Sequence, residues 1–142
     1  MGKVYLDPLV CRVFRPLRMS LMAFAISCFV GTFLTDFAYA KTFDTMWANF
    51  SDWLLTTGLF VAAVAVLAGV LDFLAGWRTR NLRAVWMRAT GEAAALAIAI
   101  VNAFVHGRDA YTAIVPTGII LSSIVVVILL ITTGVTATAH RI

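Results

Sequence analysis

Charge is scarce in this sequence. Only 13% of its 142 residues are Asp, Glu, Lys or Arg, against roughly 25% in an ordinary soluble domain. Cysteine is nearly absent too. Cys11 and Cys28 are the only two, one in a basic stretch and one in an apolar run. That excludes a disulfide-stapled scaffold and any cysteine-rich zinc module, and leaves small inert thiols as the plain reading. There are two histidines, His106 and His140, so metal-ligand spacing has almost nothing to work with. The chain has no Gly-rich phosphate loop, no CxxC, no HExxH and no recognisable Ser-His-Asp arrangement. No apolar run alternates with period two, which excludes a membrane β-barrel.

The residues that are present are apolar. Hydrophobic types make up 62% of the chain, and the mean hydropathy is +0.96. A soluble domain this small could not bury that much apolar surface, so a soluble enzyme is excluded and an integral membrane protein is expected. One spanning helix needs roughly 20 residues, and four apolar runs meet that need: about 19–39, 53–77, 89–105 and 117–134. Within lipid only helices satisfy their own backbone. Short connections then predict an all-α, up-down-up-down four-helix bundle. The domain reading is a cytoplasmic segment 1–18, a membrane domain 19–134 and a tail 135–142.

The net charge of +4 and pI of about 9.6 are explained by topology. Lys3, Arg12, Arg15 and Arg18 precede the first run; Arg78, Arg80, Arg83 and Arg88 lie between the second and third; Arg141 follows the fourth. Lys41 and Arg108 fall on the other side, with Asp36, Asp44, Asp52 and Asp109. The positive-inside rule therefore predicts cytoplasmic termini and a cytoplasmic middle loop. The partner this implies is the lipid bilayer, and nucleic acid is not expected. Trp47, Trp53, Tyr39 and Tyr111 are expected at the outer interface, and Trp77 and Trp86 at the inner one.

The first residues carry two signals. Asp7-Pro8 resembles a helix cap followed by proline at the first helical position. Leu6, Leu9, Val10, Val13, Phe14 and Leu17 then share a face opposite Arg12, Arg15 and Arg18. This predicts a short amphipathic interfacial helix, kinked or ended by Pro16; a disordered basic leader is the alternative. Ala38-Tyr39-Ala40 imitates a signal-peptide site. The apolar stretch is long for that role and Asp36 stands just before the site, so a retained first span is expected.

Small residues drive close helix packing in lipid. Gly91, Ala95, Ala99 and Ala103 form one such seam, and Gly58, Ala62, Ala65, Gly69 and Gly76 another. The fourth run has few small residues at its middle and should face lipid more. Ser122 and Ser123 are expected to bond to carbonyls of the preceding turn.

The candidate functional residues are the few polar groups left in or near the spans: Asp72, Glu92 and Asn102, with Asp36, Asp44, Asp52, His106, Arg108 and Asp109 at the outer ends. Asp72 and Glu92 are either a carboxylate pair for protons or cations, or partners of Arg78, Arg80 or Arg88. Asn102 and His106, four apart, share a helix face. With the aspartates they read either as a metal, haem or quinone site or as a solvated rim with an Arg108–Asp pair. A haem held by two histidines of one chain is not expected, because His106 and His140 fall on opposite sides. A symmetric homodimer would bring two copies of His106 together. No catalytic set stands out.

Five segments together resemble a known family: FAISCFVGTFLTDFAY (24–39), MWANFSDWLL (46–55), AGVLDFL (68–74), VNAFVHGRDA (101–110) and PTGIILS (116–122). The chain is similar, from about 15 to 134, to the bacterial predicted-membrane-protein family known as domain of unknown function twenty-two thirty-one. The resemblance implies a four-helix inner-membrane protein without a settled activity. It also implies a non-enzymatic subunit or anchor associated with periplasmic redox partners such as quinoprotein dehydrogenases or Rieske-type domains. In that setting His106 is a candidate haem b ligand. The alternative is a small transporter or ion- or proton-handling protein using Asp72, Glu92 and Asn102. The chain departs from the family where Arg18, Ala23 and Ala25 replace a His-Pro and Pro-rich start, and in its short end, 136–142.

Overall fold

The computed structural model describes residues 8–76, 82–109, 112 and 114–139, with side chains for 13–74, 85–108, 112 and 114–135. Four helices carry the chain: α1 (Pro8–Thr42), α2 (Thr45–Gly76), α3 (Leu82–Asp109) and α4 (Ile119–Ala139). All four are long and apolar enough to cross a membrane. Consecutive helices pack against each other and α4 returns against α1, so the bundle closes into a ring.

Each helix buries one residue per turn. On α1 these are Met22, Ala25, Phe29, Thr32, Asp36 and Tyr39; on α4 they are Ser122, Val125 and Leu129. The spacing of three or four is the helical period. The small-residue seams lie on these buried stripes: Ala62 and Ala65 on α2, Ala95 and Ala99 on α3. A Cβ on Gly58 would stand 3.0 Å from the Cys28 Cβ and 3.1 Å from the Phe29 ring. At Gly91 a Cβ would collide with the Thr132 hydroxyl of α4. The outward faces are also apolar, with Phe104, Phe60 and Trp53 more than 70% exposed, as suits helices solvated by lipid. The polar residues are concentrated on the inward stripes.

The interior is layered. A central apolar layer holds Ala25, Phe29, Leu55, Ala62, Ala95, Ala99, Val125 and Leu129. At one end of it lie Asp36, Ser51, His106 and Ser122, roofed by a small cluster of Tyr39, Ala48 and Ile114. At the other end Arg18 and Arg88 meet Glu92. Eighteen residues separate Asp36 from Arg18, about 27 Å along a helix.

Two connections shape the Asp36 end. α1 stops at Phe43, whose φ of 53° lies in the left-handed region used at helix C-termini. Asp44 then caps α2, its Oδ1 accepting from the Met46 amide at 2.9 Å. Before α4, Val115 is extended (φ −116°, ψ 119°), as a residue preceding proline prefers. The Val115–Pro116 peptide is cis.

Two expectations are corrected. Among the described residues, 8–18 form no separate interfacial helix: α1 runs unbroken through Pro16. A proline removes one backbone bond but does not by itself end a helix that continues well on both sides. Tyr39 is not on a lipid-facing belt. It is 7% exposed and packs with Ala48 and Ile114, because the stripe that buries Thr32 and Asp36 continues one turn to it. Trp53 and Trp86 are exposed and Trp47 is half-buried. Trp77, Arg78, Arg80, Tyr111, His140 and the chain ends lie outside the described residues, as do the side chains of Cys11, Arg12, Arg83 and Asp109.

Candidate functional site

Asp36 is the hub of the site. Its side chain is fully buried and receives one contact from each of the other three helices. Ser51 of α2 donates a short hydrogen bond to Oδ1. His106 of α3 places Nε2 3.0 Å from the same oxygen. Ser122 of α4 lies 2.9 Å from Oδ2. The position follows from local spacing. Asp36 is seven residues before the end of the helical run at Phe43, and Ser51 is seven after Asp44, so the tight turn sets them at one level.

The imidazole is fixed on both sides. Nδ1 donates to the Asn102 carbonyl, one turn earlier, at 3.0 Å. Nε2 also approaches the Ser51 oxygen at 3.2 Å. Ser, His and Asp are therefore all present, but not as a hydrolytic triad. In a triad the carboxylate holds Nδ1 and the hydroxyl faces Nε2. Here Asp36 and Ser51 share Nε2, and Ser51 Oγ is sealed from any substrate.

Asn102 stands beside this network. It is fully buried, and neither its amide nitrogen nor its amide oxygen has a hydrogen-bond partner. It faces a narrow void with Phe29, Thr32, Leu55, Ser122 and Val125, too small for a water molecule. Thr32 and Thr35 spend their hydroxyls on carbonyls of their own helix. Ser123 does the same, and Ser122 also lies 2.9 Å from the Gly118 carbonyl.

The haem reading does not fit this geometry. Both ring nitrogens of His106 are engaged and its side chain is 1% exposed. The interior beside it lacks space for a porphyrin. No group of three or more His, Cys, Asp or Glu forms among the described residues.

The remaining candidates separate. Arg108 is exposed, and Asp36 pairs with His106 instead of with it. Asp109 has no described side chain. Asp72 is 1% exposed, but lies 21 residues beyond Ser51, about 31 Å along α2. Glu92 is clamped: Arg18 donates to Oε2 and Arg88 to Oε1, each at 2.7 Å. Arg18 reaches it by lying across Gly69, where a Cβ would stand 2.5 Å from Nε. Of the arginines expected to pair with Glu92, Arg88 does so. Arg18 was not expected, because it is 74 residues away in sequence. Ser51 was also missed as a site residue. Its signal is position: with Leu55, Gly58 and Ala62 it lies on one face of α2.

The chain matches the predicted membrane protein family DUF2231 over residues 15–139. It belongs to that family. No curated protein and no solved structure matches it. The match spans both polar layers of this DUF2231 protein and all four of its apolar helices.

Proposed function

We propose that this DUF2231 protein is a non-enzymatic membrane subunit or anchor. The observation that carries this is the closed interior: an apolar layer separates the two polar layers, and the void beside Asn102 admits no water. A transporter needs a polar, hydrated path between its charged groups. The ion-handling alternative would string Asp72, Glu92 and Asn102 along such a path. Glu92 is instead held by two guanidiniums, and Asn102 abuts a dry space.

In this reading the bundle is up-down-up-down in a bacterial inner membrane. Both termini and the 77–81 connection are cytoplasmic, supported by the sorting of basic residues in the sequence. The exposed Asp44, Asp52 and Arg108 then face the periplasm. They are what a periplasmic redox partner would touch, a partner class supported by the family resemblance. A second copy of the chain is the other candidate partner.

Reconstitution tests the reading. Vesicles with a trapped pH dye and an imposed potassium gradient should show no proton or cation flux above protein-free controls. The purified protein should be colourless. A flux abolished by Asp72→Asn overturns the anchor reading, and so does a Soret band lost in His106→Ala. A reporter inserted within 78–88 and found outside the cell overturns the orientation.

A further inference from the structure

We propose that Asp36 and His106 together form a buried binding site for one proton. The argument begins at the far nitrogen. A carbonyl oxygen can only accept, so the 3.0 Å contact with the Asn102 carbonyl requires a proton on Nδ1. A neutral imidazole then presents a bare lone pair at Nε2. That atom lies 3.0 Å from Oδ1 of Asp36. An ionised carboxylate there would set two acceptors against each other in a water-free interior, a costly arrangement.

Ser51 does not relieve the conflict. It has one hydrogen, donated to Oδ1, so toward Nε2 its oxygen acts as an acceptor. Ser122 likewise has one hydrogen for Oδ2 and the Gly118 carbonyl. Two acceptors therefore meet without a proton unless the pair holds one itself. The proton sits on Nε2, giving imidazolium and carboxylate, or on the carboxyl, giving two neutral groups. Either way the pair is neutral overall and binds one proton as a unit.

Among the described residues, one further charge acts on the pair, that of the exposed Asp52. α1 contributes Asp36 itself, with Tyr39 one turn on in the apolar roof. From α2 comes Ser51, while the adjacent Asp52 is exposed. α3 contributes His106 and the uncharged Asn102, and Arg108 two residues on is exposed. α4 carries no titratable side chain. The roof of Tyr39, Ala48 and Ile114 separates the site from the near end of the bundle, so the proton exchanges when that roof moves. Loss of the proton would drive Asp36 and His106 apart, and with them α1 and α3. The site thus couples proton occupancy to the packing of this end. It stands independently of the anchor reading, since binding a proton requires no path across the bundle.

A proton count at one pair of atoms tests this. His140→Gln leaves His106 as the sole histidine. With nitrogen-15 histidine in lipid vesicles, solid-state NMR reads both ring nitrogens, and infrared spectroscopy reads the Asp36 carboxyl, identified by its loss in Asp36→Asn. At neutral pH the expected result is a protonated Nδ1 and one further proton, on Nε2 or on the carboxyl. Asp36→Asn should shift the imidazole's own titration by more than about one pH unit, a tenfold change in proton affinity. A bare Nδ1 overturns the proposal, as does an ionised Asp36 beside an unprotonated Nε2, or an imidazole titration unchanged by Asp36→Asn. Vesicle flux bears on the anchor reading alone.

Discussion

Asp36→Ala is the perturbation that most directly probes how the four helices are joined. The substitution removes the acceptor shared by α2, α3 and α4. The two hydroxyls lose little, because Ser51 keeps the imidazole nitrogen and Ser122 keeps the Gly118 carbonyl. Interhelical hydrogen bonds in membrane proteins average about 0.6 kcal/mol each. The imidazole loses more. Its side chain is 1% exposed, and among the described residues Asp36 is its only charged partner in contact. Leaving one side of a buried hydrogen-bonded pair unmatched costs about 1–3 kcal/mol, so the expected loss is about 2–4 kcal/mol in all. Reversible unfolding in mixed micelles, titrated with a denaturing detergent, measures it. His106→Leu should be costly alone, yet the double variant should cost less than the sum by about 1–3 kcal/mol. A loss under about 1 kcal/mol for Asp36→Ala, or strict additivity of the two changes, would refute the hub.

Three further outcomes follow from the packing. Asn102→Leu should raise stability by about 1–2 kcal/mol, because it replaces an amide with no partners by an apolar side chain of similar size; thermal unfolding in detergent checks it. Gly91→Ala should destabilise by about 1–3 kcal/mol through contact with Thr132, and Thr132→Ala should recover part of that loss in the same assay. Glu92→Gln should cost about 1–3 kcal/mol, since it leaves two guanidiniums facing each other. Arg88→Ala should cost less, because Arg18 still neutralises the carboxylate; both are read as unfolding midpoints.

Much of the architecture was legible in the sequence because lipid permits so few solutions. The apolar runs marked all four spans, and the period of small residues marked the seams. Asp36, Asn102 and His106 stood out for the same reason: polar side chains are rare in such runs and turn inward. The partners were harder to see. Ser51 and Ser122 are ordinary residues whose role depends on the level at which two turns set their helices. The Arg18–Glu92 contact spans 74 residues, and no local pattern encodes a pairing between the first and third helices. Residue type alone suits Tyr39 to a membrane boundary, yet it is buried. The helical stripe it shares with Asp36 was the better guide. α1 is longer than its proline suggests, because Pro16 does not stop a helix that continues on both sides of it.

The two connections at the Asp36 end have different freedom to vary. Ile114, just before the break at Val115, is 2% exposed and forms part of the roof over the buried pair. Ile114 is thus a stopper as well as part of a connection, and displacing it would open the roof. Residues 41–46 of the α1–α2 turn are all exposed, with Phe43 at the bend. Extra chain spliced there would leave the roof and the pair intact. A fused domain or inserted epitope should therefore be accepted at the α1–α2 turn and rejected directly beside Ile114.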